Sequence, residues 1–279
     1  MVKKSLSPLV SVVITTYKRP ELLRRAIESV LNQTYKNIEV IVSDDNSNDH
    51  TSEVVRDYMQ TSDIPIVYRT NTENKGACFT RNEGIKLANG YFVAGLDDDD
   101  EFTPSRIEKL VLNYSSDYSF VASNTLVKTK EGQYPLFSTK KVIELKDILW
   151  SNCIGSQILV EKEKLLSIGG FDQDLPASQD FDMWVRLIKE YGPALRLKET
   201  LFILHTEHEE PRISTSNKKV SGMSLVLKKY EHLMNDGQVK FRKYNIQMEG
   251  KEKRKRILGL YNIGLPGFIY LIKRKLRII

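Results

Sequence analysis

The sequence predicts an α/β fold built on a mostly parallel sheet flanked by helices. Three observations predict it. Short β-branched runs alternate with stretches of helical apolar spacing, the pattern of βαβ units. The predicted strands end in polar residues, Thr15-Thr16-Tyr17 after the first and Asp44-Asp45 after the second. Another ends in four consecutive aspartates, Asp97 to Asp100. In open α/β sheets, ligands bind beyond the carboxyl ends of the strands, so this polar edge is where a site is expected.

Val10-Ser11-Val12-Val13-Ile14-Thr15 reads as a buried strand, after which Pro20 opens a helix carrying Leu22, Leu23, Ala26, Ile27, Val30 and Leu31 at helical spacing. Ile38–Val42 is the next strand, ending at Ser43-Asp44-Asp45-Asn46-Ser47. A helix from about Thr51 to Tyr58, a strand at Ile66–Tyr68 and a helix from about Gly76 to Ala88 follow. Gly90–Leu96 is a short apolar strand leading into the aspartates. Thr103-Pro104 then reads as a helix start, with Thr103 as N-cap and Pro104 at the first helical position.

A fold does not stack four carboxylates at a strand end for stability, because adjacent like charges repel. A divalent cation relieves that repulsion, and hard oxygen donors suit Mg²⁺ or Mn²⁺. The familiar glycine cradles are missing: no G-x-G-x-x-G follows the first strand and no G-x-x-x-x-G-K-[ST] occurs. A nucleotide bound at this edge is then expected to be held by carboxylates, an aromatic ring and a metal instead.

The net charge of +6 is unevenly spread. Residues 251–279 hold nine Lys/Arg against Glu252, a local +8, which leaves −2 for the first 250 residues. A nearly neutral body argues against a nucleic-acid partner, whose enzymes are basic across the binding face. Cys78 and Cys153 stand far apart in no metal spacing, as expected of free thiols in a reducing compartment. The apolar run Leu9–Thr16 is too short for a signal sequence, so a cytoplasmic body is expected.

Seven segments together carry a specific resemblance. They are Val10–Tyr17, Val30-Leu-Asn-Gln-Thr34, Val42-Ser-Asp-Asp-Asn-Ser47, Asn74-Lys-Gly-Ala77, Arg81-Asn82, Leu96–Asp100, and Gly169-Gly-Phe-Asp172 followed by Gln179-Asp-Phe-Asp-Met-Trp184. In this order they resemble the family 2 glycosyltransferases, enzymes of the GT-A fold, over roughly residues 8 to 215. The resemblance implies a glycosyltransferase domain over 1–215 and a helical, basic extension over 216–279. It also implies roles. Asp45, beside Asp44, accepts the N3–H of uracil, for which a carboxylate is suited because it only accepts. Thr15 and Tyr17 lie around the base, Arg81 near the diphosphate, and Asp98 at the ribose. Asp97 and Asp99 form the D-x-D element, with Asp99 the first metal ligand. Asp180 is the base that takes the proton from the acceptor hydroxyl, with Asp182 as the fallback. Gln179 stands where the family usually has Glu. A late histidine, His208 or His205, completes the metal site.

The implied reaction is inverting transfer of a hexose, glucose or galactose favoured, from a UDP-sugar to a GlcNAc- or GalNAc-diphosphate-undecaprenol, forming a β-linkage in O-antigen or capsule synthesis with Mn²⁺ or Mg²⁺. The competing reading is an inactive peripheral scaffold or nucleic-acid binder that uses the basic tail. In that tail, Lys251–Arg256 and Lys273–Arg277 flank an apolar run, Ile257–Ile272, broken by Gly264-Leu-Pro-Gly267. The run is too short and broken to span a bilayer. It fits either an interfacial segment on the inner face of the cell membrane or a helix packed on the body.

Overall fold

The computed structural model describes residues 7–136, 141–209 and 218–249, together with 266, 267, 269, 270 and 272. The first half alternates as expected: β1 (Val10–Thr16), α1 (Pro20–Leu31), β2 (Ile38–Asp44), α2 (Thr51–Thr61), β3 (Ile66–Thr70), α3 (Ala77–Leu87) and β4 (Phe92–Asp97). β3, β2, β1 and β4 lie side by side and parallel, with Thr15 opposite Asp97 and Thr16 opposite Asp44. The polar strand ends thus meet at one edge.

Alternation along β1 divides the core. Val10, Val12 and Ile14 face α1 and join Leu23, Ile27 and Val30. Val13 points the other way and joins Ile85 of α3 and, farther along, Trp184. Burying apolar side chains on both faces is what makes these strands read as nearly continuous apolar runs.

Beyond β4 the sheet becomes mixed. β5 (Glu101–Phe102), α4 (Arg106–Leu112), β6 (Val121–Thr129), β7 (Gly132–Leu136), β8 (Val142–Ile143), α5 (Leu145–Ile148), β9 (Leu159–Glu161), α6 (Lys162–Ser167), α7 (Gln179–Tyr191) and β10 (Ala194–His205) follow. β9 is antiparallel to both β4 and β6, β6 is parallel to β10, and β10 carries β5 and β8 antiparallel. The helix expected from Pro104 begins at Arg106. Its cap is not Thr103, whose N–H and hydroxyl both turn to the Leu201 carbonyl. The buried Gln33 supplies the cap from the end of α1: its Oε1 accepts the Ile107 N–H at 3.0 Å, while its Nε2 donates to the Thr103 carbonyl. A cap brought from another element cannot be seen in local spacing.

After β10 come α8 (Lys218–Tyr230) and α9 (Asp236–Met248). Val226 and Tyr230 of α8 belong to the same core cluster as Trp184 of α7. Gly222 allows the approach: a Cβ there would lie 2.4 Å from the Ala177 carbonyl oxygen, just before α7. Most of the basic tail lies outside the described residues. Tyr270 is described and stacks on Trp150, with ring centroids 4.7 Å apart and planes 11° off parallel. No helix among the described residues is long and apolar enough to cross a membrane.

Candidate active site

A cleft of about 1680 Å³ opens at the carboxyl edge of the parallel strands. It is lined by Thr15, Tyr17, Asp45, Arg81, Asp97, Asp98, Asp99 and Asp180. His208 reaches it through Asp99. The residues singled out from the sequence therefore share one cleft.

On the β2 side, Asp45 is buried and three protein donors hold it. Oδ1 accepts from Asn71 Nδ2 at 2.7 Å and from the Lys75 N–H at 2.8 Å, and Oδ2 accepts from the Gly76 N–H at 2.8 Å. Lys75 and Gly76 lead into α3, so this carboxylate anchors a helix N-terminus, where backbone donors lack intrahelical partners. A carboxylate offers about four acceptor directions, which leaves room for one further donor. Asp44 does different work, accepting from Tyr68 Oη at 2.7 Å and from the Ser47 N–H to hold the turn closed. The Tyr17 ring, 40% exposed, stands at the mouth of the cleft.

The four aspartates are individually placed. Asp97 accepts from Arg81 Nη2 at 2.7 Å and from Gln157 Nε2 at 3.1 Å. Burial acts to lower the Arg81 pKa, but Asp97 outweighs it and holds the guanidinium above its ordinary value. Asp98 is buried and accepts from Thr16 Oγ1 at 2.8 Å and Arg19 Nη1 at 3.0 Å. Burial pushes its carboxyl up to about 7, with Arg19 opposing and Asp99 adding to the rise. Asp99 lies 3.3 Å from Arg19 and 3.1 Å from His208 Nε2. Asp100 is buried and accepts the His205 N–H at 2.9 Å. His208, and not His205, therefore faces the D-x-D element; the His205 ring sits between Glu101 and Glu207.

The donor set at Asp99 suits a divalent ion. A carboxylate oxygen and an imidazole nitrogen at contact distance are acceptable Mn²⁺ donors, and such ions take few protein ligands when substrate phosphates complete the shell. Among the described residues no three acidic, His or Cys side chains converge as a closed metal cage. Asp99 and His208 thus offer two donors, fewer than a self-contained site requires.

Asp180 stands in the first turn of α7 and lines the same cleft. Its Oδ2 accepts from Asn152 Nδ2 at 2.8 Å and its Oδ1 from the Phe181 N–H at 2.7 Å. Burial raises its pKa; the Phe181 N–H and Arg81 pull it down and Asp97 adds to the rise. Asp182, the fallback, is fully buried and fully engaged. It accepts from Tyr230 Oη at 2.6 Å, Lys229 Nζ at 2.7 Å and Arg186 Nε at 2.8 Å. It ties α8 to α7 and cannot reach the cleft.

Arg19, Gln157 and Asn152 were not anticipated from the sequence. Gln157 is held in turn by Arg106, a buried arginine flanked by the Phe102 and Phe202 rings that donates to the Gln157 carbonyl at 3.1 Å. Burial lowers the Arg106 pKa to about 9. These residues lie in irregular segments whose partners are 28 to 80 positions away, so no local spacing signals them.

The chain matches the family model described as Glycosyl transferase family 2 over residues 11–168. It is 34% identical over 272 residues to the putative colanic acid biosynthesis glycosyl transferase WcaA of Escherichia coli K12, covering 92% of this chain and 88% of that protein. It is 35% identical over 189 residues to the GalNAc(5)-diNAcBac-PP-undecaprenol beta-1,3-glucosyltransferase of Campylobacter jejuni, covering 66% of this chain and 60% of that one. The fold resembles Staphylococcus aureus TarS 1–349 in complex with UDP-GlcNAc, with a TM-score of 0.68, 16% identity, and coverage of 90% of this chain and 76% of that one. It also resembles the mannosyltransferase PcManGT of Pyrobaculum calidifontis in complex with GDP-Man and Mn²⁺, with a TM-score of 0.60 and 15% identity over 98% of this chain and 86% of that one. The strand-end carboxylates, the α/β sheet and these matches converge: the chain belongs to glycosyl transferase family 2 and has the GT-A fold.

Proposed function

We propose that the protein is an inverting, metal-dependent hexosyltransferase that moves glucose or galactose from a UDP-sugar to a lipid-diphosphate-linked GlcNAc or GalNAc, forming a β-linkage during surface polysaccharide synthesis. The observation that carries this reading is that Asp180 lines the same cleft as Asp97 and Asp99, near enough to Asp97 to feel its charge. A binding module has no use for a base facing a D-x-D edge.

Asp45 keeps one acceptor direction for uracil N3–H, Tyr17 offers its ring to the base, and Thr15 and Asp98 flank the nucleoside. Arg81, carried on α3, stands ready for the diphosphate with the fork geometry that suits phosphate oxygens. Asp99 and His208, with Asp97 alongside, would hold Mn²⁺ or Mg²⁺, which stabilises negative charge developing on the departing UDP. Asp180 takes the proton from the acceptor hydroxyl as that oxygen bonds to the anomeric carbon and the bond from that carbon to the UDP oxygen breaks. A single displacement turns an α-linked donor into a β-linked product.

The lipid-linked acceptor is supported by the Campylobacter relative, whose name specifies an undecaprenol-diphosphate substrate. The Escherichia coli relative supports the polysaccharide setting. Peripheral association with the inner face of the cell membrane is supported by the nine cations of residues 251–279 and by the exposed Ile269 and Ile272. The test is a UDP-sugar panel with a synthetic GlcNAc-diphosphate lipid and Mn²⁺, with linkage read by NMR. A β-linked hexoside is expected, and an α-linked product overturns the single displacement.

A further inference from the structure

The loop that faces Asp180 is built around Asn152. Its Oδ1 accepts the N–H groups of Ile154 and Gly155 at 3.1 and 3.2 Å. Two backbone donors on one end of an amide settle which end is oxygen, so the nitrogen end must point the other way. There Nδ2 donates to Asp180 Oδ2 at 2.8 Å. The loop is braced from behind by α9. Gln238 donates to the Lys146 carbonyl at 2.8 Å, and Arg242 donates to the Leu149 and Ile148 carbonyls at 3.0 and 3.2 Å while lying over the Phe181 ring. Trp150, two residues before Asn152, is pinned between Phe241 and Tyr270.

We propose that Asn152 is a positioning residue for the transfer reaction, whose amide N–H fixes the Asp180 carboxylate in its cleft-facing orientation and favours its ionised form. The proposal rests on the reading of Asp180 as the base. A base in this wall has conflicting needs: it must stay ionised where burial disfavours charge, and it must still want a proton. The charged and titratable groups around it are Arg81 and Cys78 on α3, Asp97 on β4, Asp182 on its own helix and Arg242 on α9. A second cation at position 152 would stabilise the carboxylate but strip its basicity. A neutral amide donates without adding charge: Nδ2 serves Asp180 and, at 3.1 Å, the Gly155 carbonyl, and its loop bonds prevent it from turning away.

The test uses the full-length protein labelled with ¹³C at aspartate Cγ, the Asp180 signal being assigned by its loss in Asp180→Asn. Asn152→Ala is expected to raise the Asp180 midpoint by about one pH unit, the scale for losing one charge-assisted donor. Asn152→Asp keeps the oxygen that accepts from Ile154 and Gly155, removes the donor and adds a like charge, so its midpoint is expected to rise further. The acidic limb of kcat/KM, measured with UDP-glucose and the GlcNAc-diphosphate lipid, is expected to follow. UDP affinity by calorimetry should stay within about twofold, since Asn152 bonds to Asp180 and not to Asp45, Arg81 or Asp99. An unchanged midpoint in Asn152→Ala overturns the positioning role and leaves Asp180 as base. A midpoint that moves while the kinetic limb does not removes Asp180 as base, and the proposal falls with it. If Asn152→Ala does not fold, Asn152→Ser, which is neutral and keeps an oxygen for the loop N–H groups, is measured in its place, and an unchanged midpoint there overturns the positioning role.

Discussion

Asp180 and Asp182 are two residues apart on one helix, and exchanging each for asparagine should have opposite consequences. Asp182 is fully buried and accepts from Tyr230, Lys229 and Arg186. Asparagine has one acceptor oxygen, so its NH₂ end must face either the Tyr230–Lys229 pair or Arg186, donor against donor. Removing one partner of a buried ion pair costs about 3–5 kcal/mol. Lys229 is partly exposed and keeps Asp172 at 2.6 Å, which places the loss near the lower figure, at about 3 kcal/mol. At roughly 2–4 °C per kcal/mol for a chain of this size, Tm should fall by about 6–12 °C. Asp180→Asn removes a half-buried charge that burial already disfavours. Its Tm should change by less than about 2 °C, while kcat falls by roughly 10²-fold or more, the scale for losing general-base help. Differential scanning fluorimetry and UDP release on the same preparations read both. A stable but inactive Asp182→Asn together with a destabilised, active Asp180→Asn would exchange the two roles and refute the assignment.

Three further outcomes are expected. Gly222→Ala gains about 1 kcal/mol of helix propensity but sets a Cβ within 3.0 Å of three backbone atoms of Ala177, and overpacking costs about 1–3 kcal/mol; urea denaturation should show net destabilisation, with a lowered kcat because the displaced segment leads into Asp180. Burial acts to raise the Glu39 carboxyl, but the Ser11 hydroxyl and the Asn89 donors outweigh it and hold the group below its ordinary value. A depressed acid stabilises the fold above its unfolded pKa and loses that contribution as pH falls through the folded one, so Glu39→Gln should be destabilised at pH 7 and converge with the unmodified protein below about pH 4. Deleting residues 251–279 should weaken sedimentation with anionic vesicles and raise the apparent KM for a long-chain acceptor; undiminished vesicle binding refutes the anchor.

The strand-end half of the cleft was legible in the sequence because its residues sit at the ends of strands that announce themselves. Val10–Thr15, Ile38–Val42 and Gly90–Leu96 are apolar and β-branched, and parallel pairing brings whatever follows them to one edge, hence Asp45 and Asp97 to Asp99. Asp180 was legible from the segment around it. The spacing could not separate Asp182 from Asp180 by role, because Tyr230 and Lys229, which bury Asp182, arrive from a helix some fifty residues later. Nor could it place Asn152, whose meaning depends on a carboxylate 28 positions away. The helix start at Thr103 failed for the same reason: local chemistry proposed a cap, and Gln33 supplied one from outside. The mixed second half of the sheet depends on β9, three residues long and antiparallel to both neighbours, too short to leave a periodic signature.

The placement of Gln33 has a mechanical consequence. One side chain fastens the end of α1 to Thr103 and Ile107, and Arg25, on the same helix, donates to the Asp99 carbonyl. The segment from Asp99 to Ile107 is therefore tethered at both of its ends to α1 and the residues just after it. The helix bearing Asp180 is braced by α8 and α9 and also packs, through Phe181 and Trp184, in the core shared with Val13 and Ile85. Any shift of α1 along its axis would carry the Asp99 carbonyl and the start of α4 with it as one piece.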